Sequence, residues 1–76
     1  MTMNQIQMLD RFTDQLVHQM QIQKMTQSEL AQKSGMEQGT VSNLLSGKRR
    51  PSLWSAYRLA DSLGLTLNDM IKPVKK

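Results

Sequence analysis

TQSELAQKSGMEQGTVSNLLSG, residues 26–47, reads as two short helices joined by a glycine turn. Thr26 has the hydroxyl of an N-cap, and Glu29 three residues on completes a capping box. The helix so started ends at Ser34-Gly35, because glycine takes the positive φ that a helix-terminating residue often needs. Glu37 is placed to cap a second short helix over residues 38–46, and Gly47 stops it. Ala31 is small where two helices must approach closely. Val41 lies on the face that should meet Leu30 and Ala31, and Met36 and Leu44 extend that face. A small residue, a turn glycine and an aliphatic at this spacing are what two helices crossing at a steep angle require.

Away from this unit, apolar residues recur at three and four rather than at two, so the rest of the chain also reads as helical. Upstream, Ile6, Leu9, Phe12, Leu16, Val17 and Met20 form an apolar stripe on a helix from about residue 4 to residue 23. Gln5, Gln7, Asp10, Arg11, Asp14 and Gln15 fill its other faces. Such a helix is roughly 30 Å long. Downstream, Ser52 caps a helix over residues 53–63 that Gly64 ends, and Thr66 caps a last short helix over residues 67–71. The expected fold class is all-α, with five helices and an extended first one.

Composition narrows the function classes. A chain of 76 residues makes one domain with a thin core. It has no cysteine, hence no disulfide framework and no thiolate metal site. Zinc would need His18, the only histidine, plus carboxylates, and His18 is read as an ordinary helix residue. No apolar run approaches the roughly 20 residues of a membrane span, and no charged start precedes an apolar stretch, so the expected location is the cytoplasm. No nucleophile–base pair, carboxylate cluster or phosphate loop is visible, so neither an enzyme nor a cofactor is expected. The formal charge of +4 favours an anionic partner, nucleic acid first. Lys48, Arg49 and Arg50 are consecutive between two predicted helices, whereas Lys72, Lys75 and Lys76 form a looser group broken by Pro73.

Thr26-Gln27-Ser28-Glu29-Leu30-Ala31, then Gly35, Val41-Ser42, Gly47-Lys48-Arg49 and Pro51-Ser52 resemble the Cro/repressor-type (XRE-like) helix-turn-helix family. Leu59-Ala60, Leu63-Gly64-Leu65 and Leu67 continue the resemblance, which runs from about residue 12 to residue 71. It implies a phage-repressor-like DNA-binding domain over residues 12–71. Residues 1–11 are then an N-terminal extension of the first helix and a candidate dimer contact, and residues 72–76 a basic tail. It also implies that the third helix enters the major groove, with Gln38, Gly39, Thr40 and Asn43 at base edges. Gln and Asn pair bidentately with adenine, and Thr touches the thymine methyl. Gly39 departs from many relatives: it admits a close approach of the DNA backbone, or it removes one base contact. Phosphate contacts would fall to Gln27, Ser42, Ser46, Lys48, Arg49 and Arg50. Many relatives hold a buried arginine–glutamate pair where this chain has Met20 and Leu45, so those two side chains should meet.

Trp54 stands where the family usually has a polar residue, and Tyr57 lies one turn on along the same face. Exposed, this pair points to a protein interface; the alternative is Trp54 folded over Pro51 or Leu53 as a lid. Ile6, Leu9, Thr13, Leu16 and Met20 are spaced like the seam of a short coiled coil, of which Ile6 and Leu9 are candidates for contact with a second subunit. Met20, Met36 and Met70 fall on core faces, whereas Met1, Met3 and Met8 are free for a partner chain. The expected partners are double-stranded DNA and a second copy of the chain. The expected role is a dimeric repressor on a palindromic operator. The alternative is an antitoxin or anti-repressor acting mainly through protein contacts.

Overall fold

Asn4 starts the first helix with a capping box: its Oδ1 accepts the Gln7 N–H at 2.8 Å, and Gln7 Oε1 accepts the Asn4 N–H at 3.2 Å. The computed structural model describes residues 3–74, so the expectations for Met1, Lys75 and Lys76 lie outside the described residues. Five helices follow in order: α1 (Gln5–Ile22), α2 (Gln27–Ser34), α3 (Gln38–Leu45), α4 (Leu53–Ser62) and α5 (Leu67–Met70). There is no strand among the described residues. The same box starts α2, where Thr26 Oγ1 accepts the Glu29 N–H at 3.1 Å, and α5, where Thr66 Oγ1 accepts the Asp69 N–H at 3.2 Å. The Thr66 N–H and hydroxyl, with Lys72 beside them, hold the Asp69 carboxyl below the usual carboxylate range. Ser52 caps α4 through the Ser55 N–H at 3.1 Å. Glu37 stands at the N-cap of α3 as expected, but its carboxylate makes no cap bond. Ser46, Leu63 and Ile71, expected as last helical residues, are the C-caps of α3, α4 and α5.

The core joins Phe12, Leu16 and Met20 of α1 to Leu30 and Ala31 of α2, Val41 and Leu44 of α3, Leu59 and Ala60 of α4, and Leu63 and Met70. α2 packs on α3 and α4, and α1 packs on α3 and α5. Leu30 and Val41 are fully buried where α2 meets α3, as the spacing around Gly35 predicts. Gly35 itself sits at φ 73°.

The first helix departs from its predicted pattern in two ways. Val17 is exposed and lies outside the monomer core, whereas Ile6, 64% exposed, is left free as a candidate for second-subunit contact. Gln15, expected on the polar surface, is buried instead, and its Nε2 donates to the Lys72 carbonyl at 2.8 Å. The chain leaving α5 brings an unpaired carbonyl against α1, and a buried carbonyl needs a donor. Two more long side chains act alike. Gln23 Nε2 donates to the Leu63 carbonyl at 3.0 Å, and Arg58 Nε donates to the Ser34 carbonyl at 3.0 Å. The last of these ties the end of α2 to α4, which fixes the helix pair that carries the candidate site. Among the described residues, no buried side-chain polar atom lacks a partner.

Candidate nucleic-acid interface

α3 is divided lengthwise. Val41 and Leu44 point into the core, while Gln38, Gly39, Ser42 and Asn43 are exposed. Thr40 is half-buried at the border of the two faces. The outer face therefore presents two amides, a hydroxyl and a bare stretch of backbone at Gly39. A Cβ added at Gly39 would have nothing within 4 Å, so the fold itself does not demand glycine there.

The chain after α3 folds back onto that helix. The Asn43 carbonyl accepts the Lys48 N–H at 3.0 Å, the Arg49 N–H at 3.2 Å and the Ser46 hydroxyl at 3.2 Å. The main-chain donors of Lys48 and Arg49 are thus committed within the protein, and what they offer outward is their charged side chains. The Ser46 proton is likewise committed, a cost that the sequence reading of Ser46 did not include. Lys48, Arg49 and Arg50 are all exposed. Among the described residues, no acidic group lies within ion-pair distance of them, and the ion pair present there joins Lys72 to Asp69 at 3.2 Å. Three cations beside a polar helix face, with the single carboxylate of Asp10 lining the same cleft as Arg49 and Arg50, leave a local positive potential.

At the other end of the unit, Gln27 is half-buried in the first turn of α2. The capping box satisfies the Glu29 N–H, and the Thr26 carbonyl takes the Leu30 N–H at 3.0 Å. The Gln27 and Ser28 N–H groups are left at the helix mouth. Gln27 borders a surface depression with Met20 and Leu45, so those two side chains share one surface, in keeping with the register expected for them.

The candidate protein-contact residues lie elsewhere. Trp54 is 58% exposed, Tyr57 56% and Leu53 77%, so Trp54 does not fold over Leu53 as a lid. Leu53, which the sequence reading treated only as something to be covered, is the most exposed large apolar residue of the three. Leu9 is half-buried and, with Met8, Phe12, Pro51, Leu53 and Ile71, lines an apolar groove of about 270 Å³. Ile6 and Leu9 also border a cleft of about 220 Å³ against Arg49, Arg50 and Pro51. The start of α1 therefore lies beside the basic loop. Only the spacing of Leu53, Trp54 and Tyr57, at i, i+1 and i+4, could have marked this patch from sequence. No such signal marks Gln15, Gln23 or Arg58, whose partners are carbonyls far along the chain.

A capped helix pair crossing at a glycine, with a polar outer face and a basic loop, defines an all-α helix-turn-helix DNA-binding domain. The family described as Helix-turn-helix matches residues 19–70, and the chain belongs to it, in its Cro/repressor-type, XRE-like form of DNA-binding transcription regulators. The match begins at residue 19, later in α1 than the residue 12 expected from the resemblance. No curated protein and no solved structure matches the chain. No helix among the described residues is long and apolar enough to cross a membrane.

Proposed function

We propose that this protein is a dimeric transcriptional repressor that occupies a near-palindromic operator. One α3 contacts few base pairs, and each good bidentate pair supplies only about 1–3 kcal/mol of discrimination. Two copies double the site and place their α3 helices roughly 34 Å apart, one turn of DNA. Gln38, Thr40 and Asn43 read base edges, Gly39 lets the backbone approach, and Gln27, Ser42, Lys48, Arg49 and Arg50 hold phosphates, with Ser46 joining them by turning its proton away from the Asn43 carbonyl. The observation that carries the reading is the exposed polar face of α3 beside three cations that have no acidic partner among the described residues. Ile6, Leu9, Trp54 and Tyr57 supply the second-copy contact, and the groove at Met8, Leu9 and Leu53 supports it. Repression follows from occupancy of promoter DNA in the cytoplasm.

Binding measured across salt concentrations and sequences tests this directly. Arg49→Ala should weaken binding to all duplexes alike and flatten the salt dependence by about one unit per bound copy. Asn43→Ala should relax preference at one base pair of each half-site. The same uniform loss from both variants would contradict the division into phosphate and base contacts.

The exposed Leu53, Trp54 and Tyr57 also favour a second reading, an antitoxin or anti-repressor that grips another protein. A partner that co-purifies and is released by Trp54→Ala, with duplex binding unchanged, would support it.

A further inference from the structure

Helices α1 to α4 end in one shared way. A backbone N–H reaches back five residues to a carbonyl of the last turn: Met25 to Met20 at 2.9 Å, Met36 to Ala31 at 3.0 Å, Lys48 to Asn43 at 3.0 Å, and Leu65 to Ala60 at 2.9 Å. This closure puts the residue before the donor in the left-handed region. In three helices that residue is glycine, at φ 73° for Gly35, 79° for Gly47 and 76° for Gly64. In α1 it is Lys24, at φ 53°, the only non-glycine residue with positive φ among those described. An L side chain is disfavoured there and glycine is not. The chain thus carries a lysine where its other three helices use the residue that fits, and stability is lost by it.

The surroundings of Lys24 give no internal use for its charge. It is exposed, and among the described residues no carboxylate lies within ion-pair distance of it. It borders a depression whose other walls include the apolar Val17, Met20, Met25 and Leu45. A cation does favour the C-terminal end of a helix dipole, but a lysine in the last turn would supply that without left-handed backbone. The polar members of the same rim are Gln21, Thr26 and Gln27. Gln27 is the phosphate candidate nearest to it in sequence.

We propose that Lys24 is a DNA-backbone contact, which extends the track of phosphate contacts from Gln27 across the turn between α1 and α2. The inference rests on the DNA-binding reading above. The test compares wild type with Lys24→Gly, Lys24→Asn and Lys24→Arg, by thermal melting and by binding to a random-sequence duplex of about two helical turns over a range of salt. Gly and Asn both tolerate the left-handed backbone but carry no charge. Each should lower the slope of log affinity against log salt by about one unit per bound copy, while Lys24→Arg keeps the wild-type slope. Lys24→Gly should also melt about 2–8 °C higher, so its weaker binding cannot come from unfolding. A steep wild-type slope that Lys24→Gly and Lys24→Asn leave unchanged overturns the assignment of Lys24 and leaves the DNA reading intact. A wild type with no salt-dependent duplex affinity overturns both.

Discussion

The unit of α2, α3 and the basic loop spends its apolar residues differently from the start of α1 and the first turn of α4. In the first region Leu30, Ala31, Val41 and Leu44 are all buried, Met36 and Leu45 are half-buried, and what is fully exposed is polar or charged, with the cations gathered in the loop after α3. In the second, Ile6, Met8, Leu53, Trp54 and Tyr57 stay exposed although they are among the most apolar side chains of the molecule. One region is complete within a single chain and offers charge to an anion. The other leaves surface that water covers poorly, and large exposed apolar patches mark protein contacts. Both regions are helical, so the difference lies in which face the fold had room to bury.

The contrast can be broken most sharply in the core. Leu30→Ala should cost about 2–5 kcal/mol and abolish a clean melting transition in so small a domain. Leu53→Ala at the same dilute concentration should leave the melting temperature nearly unchanged. Equal losses from both would mean that the α4 patch belongs to the monomer core. A smaller effect concerns the proposed second-copy contact. Trp54→Ala combined with Tyr57→Ala should raise the dimer dissociation constant by at least tenfold in sedimentation, in line with the roughly 2 kcal/mol of an aromatic interface anchor. A dimer of undiminished affinity would move the contact to another face. The smallest effect sharpens the other side of the comparison. Gly39→Ala should stabilise α3 by up to about 1 kcal/mol, since open space surrounds the site, yet weaken duplex binding where the backbone comes close. A lower melting temperature would show that Gly39 serves the fold instead.

Much of this was legible in the residues, because the decisive signals are local. The capping box at Thr26, the cap at Thr66, the stop at Gly35 and the burial of Leu30 with Val41 each depend on a few neighbours in sequence. The stripe on α1 holds at Phe12, Leu16 and Met20, misplaces Val17, and leaves Ile6 outside the core for a physical reason. Periodicity marks a face, but it does not say how far along the helix a partner extends. Phe12, Leu16 and Met20 meet other helices and are buried, while Ile6 lies beyond them, near the basic loop. Gln15, Gln23 and Arg58 were unreadable because each answers a carbonyl brought near by tertiary folding. Lys24 lay between these cases: the end of α1 was expected near it, but a lysine carries no glycine's signal for a left-handed stop.

Selection of bound duplexes from a random-sequence pool tests the central claim most directly. The account predicts enrichment of one near-palindromic sequence whose half-sites are centred about one helical turn apart, lost when Gln38 and Asn43 are both replaced by alanine. A pool that emerges unenriched, or a motif that survives those two replacements, would contradict it.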